Sequence, residues 1–356
     1  MSADRSLIDL KDMSTSELEN LSEELVCKRF PGRQLFGWIH KHNVTDFNAM
    51  TNISKEFREM LKGKYYISRA DIVDLQQSKL DGTRKLLLKL SDGEQVETVW
   101  IPGADRSTIC VSSQVGCPLA CRFCLTGLMK MKRNLTAGEI AEQVYSVKAI
   151  LQGDEDFRNI VFMGMGEPFL NYDSVIAGLD LLMSDLGLGI AQKRVTISTV
   201  GIVPGIFRLA DSGLKVMLAV SLHSADDDLR SRLVPANKKY PLSVLVPALK
   251  YYTETTGRRL TFEYCLIGGV NDSIDSARKL VSLIHDIPCK INLLAYNAAP
   301  GLPKEFRRPS EDSIERFRDY LYPRCPAVTT RKSRGADILA ACGQLATGSK
   351  ISEKKT

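Results

Sequence analysis

The sequence predicts an α/β fold: a partial barrel of six βα units, TIM-like, preceded by a small helical unit and a β-hairpin segment. Three observations carry this. Six apolar, strand-like runs recur between residues 108 and 296, and amphipathic helical runs separate them. Polar and glycine residues gather just after those strands, at the barrel end where reactive groups sit. The first hundred residues lack that alternation and read differently.

Taken in order, residues 1–64 form a helical accessory unit. Runs at 16–28, 33–41 and 54–62 are short and amphipathic, with Pro31-Gly32 punctuating the first two. Residues 65–102 turn to a strand pattern, at 65–75, 85–90 and 95–101, and Asp81-Gly82 and Asp92-Gly93 supply the hairpin turns. The core spans 103–345, with strands expected at 108–113, 159–163, 194–198, 216–223, 260–267 and 290–296. Helices fall between them, among others at 136–151, 242–253, 274–285 and 310–321; the first opens on the capping box Thr136 to Glu139. Right-handed crossovers would curl such a parallel sheet into a barrel. Residues 346–356 make a short tail.

Composition narrows the class. The 356 residues are 44% hydrophobic, enough for one large domain and a smaller partner. No stretch approaches the roughly 20 apolar residues of a membrane span. The first residues mix charges and lack the apolar core of a signal peptide. A cytoplasmic enzyme with no membrane partner is therefore expected. Nine cysteines is an odd number for a disulfide framework, so the thiols read as ligands, reactants or small core side chains. A net charge of +6 permits a polyanionic partner such as RNA.

The most informative motif is Cys117-Pro-Leu-Ala-Cys121-Arg-Phe-Cys124. A closed [4Fe–4S] centre takes four cysteines and a structural zinc takes four Cys or His. Here no further Cys or His occurs before His223. Three clustered thiolates suit a [4Fe–4S] cube with one iron left open for a bound ligand. The run Gly164-Met165-Gly166-Glu167-Pro168 follows the second strand, Ser198 ends the third, Ser221-Leu222-His223 closes the fourth and Asn297 follows the sixth. Each alone reads as a turn, a cap or a structural histidine; together they put one polar rim beside the cysteines.

These residues resemble the radical SAM superfamily and, within it, the RlmN/Cfr family of RNA methyltransferases. The similarity runs through Val96-Glu97-Thr98-Val99, the segment from Cys110 to Cys117, residues 133–136, the Gly-Met-Gly-Glu-Pro run, residues 220–223, 234–238 and 289–293, and Ala341-Cys342-Gly343-Gln344-Leu345. It implies a [4Fe–4S] cluster on Cys117, Cys121 and Cys124. It implies S-adenosylmethionine held by Gly166, Glu167, Ser198, Ser221, Leu222, His223 and Asn297. Cys342 matches a methyl-carrying cysteine, Cys110 the thiol that releases the product as a disulfide forms, and Glu97 the proton acceptor. The implied activity is methylation of carbon 2 of an adenosine in 23S rRNA and of the adenosine beside the anticodon in some tRNAs, consuming two S-adenosylmethionine molecules. Carbon 8 of the rRNA adenine, as in Cfr, is the alternative within the family, and a non-catalytic Fe–S RNA-binding protein the alternative outside it. A monomer, an electron donor such as flavodoxin or ferredoxin, and RNA phosphates reached by basic pairs such as Lys238-Lys239 and Arg307-Arg308 complete the expectation.

Two departures stand out. The family tends to carry a small residue after the third cysteine and a glycine soon after, whereas this chain has Leu125 and the run Leu128-Met-Lys-Met-Lys132. Cys27, Cys265, Cys289 and Cys325 match no family role and read as packing.

Overall fold

The computed structural model describes residues 7–104 and 106–347. Most of the 346–356 tail lies outside the described residues.

Ten strands form one sheet in which spatial order is chain order. They are β1 (Asp71–Gln77), β2 (Arg84–Lys89), β3 (Gln95–Ile101), β4 (Thr108–Cys110), β5 (Asn159–Phe162), β6 (Val195–Thr199), β7 (Met217–Ser221), β8 (Leu260–Leu266), β9 (Cys289–Ala295) and β10 (Val328–Arg331). Neighbours from β1 to β4 run antiparallel. From β4 to β10 they run parallel. The hairpin strands thus continue the barrel sheet directly.

Helices cross between the parallel strands: α4 (Ala137–Ile150), α5 (Tyr172–Met183), α6 (Val203–Asp211), α7 (Asp227–Leu233), α8 (Leu242–Thr256), α9 (Ile274–Ile284) and α10 (Glu311–Leu321). The expected capping box at Thr136 and Glu139 opens α4. Strand β8 is buried at all but one position, which fits a parallel strand covered on both faces. Each of its large apolar side chains contributes roughly 1.5–3 kcal/mol by leaving water.

The barrel has seven parallel strands where the sequence pattern shows six. The additional strand, β10, is mostly exposed and carries Thr-Thr-Arg rather than an apolar run. It joins the sheet through backbone pairing with residues 291–294 of β9, which leaves no apolar signature to read.

Before the sheet stand α1 (Thr15–Val26), α2 (Phe30–His40) and α3 (Lys55–Leu61), three short helices as the sequence indicates. Pro31 and Gly32 do not separate α1 from α2; they form the first turn of α2. Proline costs no hydrogen bond there. Gly32 lies so close to the backbone of Leu18 and Glu19 that any Cβ would clash, so the glycine permits the α1–α2 crossing. The strand expected over 65–75 is two pieces: Tyr65–Tyr66 pairs with Ile8–Asp9, and β1 begins at Asp71. Between them Glu142 of α4 accepts the Ala70 N–H at 3.2 Å and pins the chain to the barrel. Among the described residues, no helix is long and apolar enough to cross a membrane.

Candidate active site

The cysteine loop leaves the end of β4 from a clamped base. Gln143 of α4 holds both backbone groups of Ser112, at 2.8 and 2.9 Å. The Asn171 amide donates to the carbonyls of Ser113 and Leu135, each at 2.8 Å. Within the loop, Ala120 takes the left-handed conformation at φ 53°, and the Cys124 N–H reaches the Cys121 carbonyl at 3.2 Å. A Cβ on Gly127 would lie 2.7 Å from that same carbonyl. Gly127 therefore provides the close approach the turn needs, three residues after Cys124. Leu125 is buried rather than small, and its N–H donates to Gly343 at 2.7 Å. Thr126 adds a hydroxyl bond to the Leu345 carbonyl at 2.6 Å. These bonds fasten the cysteine loop to the segment that carries Cys342.

Cys117, Cys121 and Cys124 line one cavity at the C-terminal ends of the strands. No three Cys, His, Asp or Glu side chains among the described residues converge on a point suited to a single metal ion. A cube makes no such demand, because each thiolate binds its own iron. Burial pushes the thiol of Cys117 up to about 12 and that of Cys121 well above its ordinary value. Such groups stay protonated alone and are deprotonated by a metal. Three soft donors on one tight loop, next to space and without a fourth, fit a three-cysteine [4Fe–4S] site.

The rim surrounds the same cavity, lined by Gly166, Glu167, Ser198, Ser221, His223 and Asn297. Glu167 is buried, and its oxygens accept the N–H groups of Phe169 at 3.1 Å and Val200 at 2.9 Å. Burial nevertheless raises its carboxyl to about 7. Thr199 adds a side-chain bond, and a lone pair of the carboxylate remains for a cationic ligand. Gly166, at φ 95°, is set by packing: a Cβ would meet Gln114 at 2.6 Å. His223 also takes the left-handed region, at φ 60°. Its Nδ1 accepts the Cys265 N–H at 3.0 Å, so the proton sits on Nε2. Burial, aided by Arg230, lowers its pKa to about 3 and keeps it neutral. Leu222 stands apart from this group. Its side chain belongs to the core, its N–H donates to Glu263 and its carbonyl accepts from Arg230.

Cys342 also lines the cavity, with its side chain exposed to that space while protein surrounds it. Cys110 ends β4 behind the cavity wall; burial first and the neighbouring Cys342 second push its thiol up to about 12. Glu97, on β3, is buried and pairs with Lys85 at 3.0 Å. Its other oxygen accepts the Ala346 N–H at 2.9 Å, which ties it to the Cys342 segment. Burial raises its pKa against the pull of Lys85. All nine cysteines are free thiols.

Among the cavity residues that sequence reasoning missed are Cys265 and Glu263. Cys265, read as packing, lines the cavity; Cys289 is buried as expected, whereas Cys27 is exposed as the left-handed cap of α1. Glu263, the lone carboxylate within β8, faces the cavity and accepts from the Asn292 amide at 2.8 Å. The available signal was a charged residue inside an otherwise apolar strand, since isolated acids are rarely fully buried.

Comparison with known proteins agrees with this geometry. Residues 8–67 match the ribosomal RNA large subunit methyltransferase N-terminal domain, and residues 111–281 match the radical SAM superfamily. A dual-specificity RNA methyltransferase RlmN of Geobacter sulfurreducens is 48% identical over 339 residues, covering 95% of this chain and 92% of that protein. The RlmN of Pseudomonas putida is 45% identical over 345 residues, covering 95% and 90%. The crystal structure of a radical SAM methyltransferase from Sphaerobacter thermophilus superposes with a TM-score of 0.88 at 42% identity, covering 95% of this chain and 99% of that one. With a three-cysteine loop, a polar rim and near full-length similarity to these proteins, the chain belongs to the RlmN family of radical SAM RNA methyltransferases, enzymes that use a [4Fe–4S] cluster and S-adenosylmethionine.

Proposed function

We propose that this chain methylates carbon 2 of one adenosine in the peptidyl-transferase centre of 23S rRNA, and the adenosine beside the anticodon in some tRNAs. The single observation that carries the reading is Cys342 in the cavity beside the cysteine loop, with Cys110 close behind. Carbon 2 of adenine is electrophilic and has no lone pair to attack a sulfonium, so a protein-borne methyl group must be delivered instead. Bound at Cys117, Cys121 and Cys124, the cluster together with S-adenosylmethionine supplies the methyl group and the radical chemistry that activates it.

The chain's own residues do the rest. Glu167, Ser198, Ser221, His223 and Asn297 orient S-adenosylmethionine, with Glu167 taking its ammonium and Gly166 shaping the turn. Cys342 carries the methyl carbon to the base and is joined to it through a thioether. Cys110 gives up its thiol proton and attacks that sulfur, the carbon–sulfur bond breaks, a Cys110–Cys342 disulfide forms, and the released carbon keeps the electron pair and takes up a proton to become the methyl group. Glu97 takes the proton leaving carbon 2, and its raised pKa favours that role. Lys85, paired with it, stabilises the carboxylate beforehand. The helical unit of residues 1–64 grips RNA, the segment 65–102 joins it to the core at 103–345, and an external donor such as flavodoxin delivers electrons. A cytoplasmic monomer serves such substrates.

Mass spectrometry of rRNA and tRNA from cells with and without this protein tests the proposal. The expected result is loss of 2-methyladenosine from both RNAs. Loss of 8-methyladenosine instead would overturn the carbon assignment, and unchanged tRNA would remove the second substrate.

A further inference from the structure

Arg230, on α7, is the largest fully buried side chain among the described residues, with 1% of its surface exposed. Its Nε donates to the Leu222 carbonyl at 3.1 Å, and Nη1 to the Asn237 side-chain oxygen at 2.5 Å. Nη2 donates to the carbonyls of Val200 at 2.5 Å and Ser221 at 3.3 Å. Every one of these acceptors is neutral. Asp227, on the same helix, accepts at Oδ1 from the Asn237 side-chain amide and the Leu242 N–H. A guanidinium therefore sits buried with no carboxylate paired to it among the described residues, although burying a charge normally demands a partner of opposite sign. Burial lowers its pKa only to about 10, so it stays charged at neutral pH.

What lies beside it is the cysteine loop. Arg122 N–H donates to Leu233 at the end of α7, and Cys121 and Leu125 pack with Leu233 and Val234. Val200 and Ser221, whose carbonyls Nη2 bonds, line the same cavity as Cys121, and the charge of a Cys121 thiolate would act on Arg230 ahead of that of Asp227. A cluster held by three thiolates is an anion, and one-electron reduction adds a further unit of negative charge.

We propose that Arg230 is the built-in counter-cation of the cluster: it offsets the thiolate charge beside Cys121 and makes the reduced state easier to reach, while its carbonyl bonds hold the ends of β6 and β7 that carry the rim. This rests on the assignment of the cluster to Cys117, Cys121 and Cys124. It adds that the charge of one buried side chain sets the reduction potential. Arg230 acts through the cluster and the strand ends and is a positioning residue, not a catalytic one.

The test compares wild type, Arg230→Gln and Arg230→Lys after anaerobic reconstitution, without RNA or S-adenosylmethionine. Iron counting on the wild type checks the cluster assignment by itself; a wild type unable to hold four irons would sink that assignment and this inference together. Redox titration followed by electron paramagnetic resonance then reads the charge effect. At a fixed potential, Arg230→Gln should hold about tenfold less reduced cluster, equivalent to about 59 mV for a one-electron couple. Arg230→Lys should stay within about threefold of wild type, because it keeps the charge and loses only the fork. Thermal melting supplies a second readout. Cluster loading should raise the melting temperature of the wild type more than that of Arg230→Gln, whose apo form is relieved of an unpaired cation. An unchanged potential in Arg230→Gln, or an equal loss of stability in apo and loaded forms, would reduce Arg230 to a structural strut. Should Arg230→Gln fail to fold, a tenfold shift in Arg230→Lys would overturn the proposal and a near-wild-type potential would support it.

Discussion

Two regions of this molecule bury charged and polar groups, and they treat them in opposite ways. At the junction between the N-terminal helices and α4, Lys11 pairs with Glu142, their side chains 0% and 4% exposed. Glu142 also takes the Ala70 N–H, and His40 shares a hydrogen bond with Tyr145 at 2.8 Å. Apart from His40 Nε2, which is buried without a partner, the set is closed upon itself. Around the cavity the buried groups are left open among the described residues: three thiols without a partner of opposite charge, Glu167 held by the N–H groups of Phe169 and Val200 and by Thr199, and, next to the cavity wall, Arg230 bonded to neutral oxygens. Burying an uncompensated ionic group is costly, so an open set persists where a ligand completes it. Closed polar sets hold parts together; open ones receive something.

Substitutions should separate the two regions sharply. The largest effect is expected in the open set. Cys342→Ala should abolish methylation and leave RNA free, since nothing can be loaded, whereas Cys110→Ala should trap RNA on the protein through Cys342. A gel band sensitive to ribonuclease, with the adduct mapped to the C-terminal peptide, reads the difference. Normal turnover by Cys110→Ala would break the assignment of the two thiols.

In the closed set the cost falls on folding. Lys11→Met leaves the Glu142 carboxylate buried alone and should destabilise the protein by about 3–5 kcal/mol in denaturant unfolding. Adding Glu142→Gln removes that charge while keeping an acceptor for Ala70, and most of the loss should return. Equal instability in the single and double variants would show that the pair is not what holds the junction.

Smaller effects are expected at the rim. Glu167→Ala or Asn297→Ala should weaken S-adenosylmethionine binding by roughly ten- to a hundredfold, the worth of about 1.5–3 kcal/mol for a charge-assisted hydrogen bond. Iron content should not change. Unaltered affinity in both variants, measured by equilibrium binding, would remove the rim as the cofactor site.

The smallest effect is a pH dependence of the junction. His40 has a folded pKa of about 3 against an ordinary 6.5, because burial disfavours its charged form. The unfolded chain binds a proton below pH 6.5 while the folded one does not, so stability falls as pH drops from 6.5 toward 3. At pH 5.5 the loss is about 1.3 kcal/mol relative to neutral pH. His40→Gln should flatten that part of the profile, and an unchanged slope would assign the dependence elsewhere.

The sequence by itself determined the elements with periodic or chemical signatures. The capping box of α4, the turn residues, six parallel strands and the three-cysteine loop all depend on local spacing, and local spacing is what a chain displays. Tertiary structure decided the rest. Strand β10 has no apolar pattern because its place at the edge rests on backbone pairing with β9. Glu263 and Cys265 reach the cavity only because β8 faces it, and Leu222 turns into the core although its neighbours line the rim. The placing of Cys342 on the same cavity as Cys124, some 220 residues earlier, depends on bonds from Leu125, Thr126 and Glu97 to residues 343–346, and on Arg230 bracing two strand ends. Charge balance across such contacts is a property of the folded interior, where distance and burial set the energy, and no spacing along the chain encodes it.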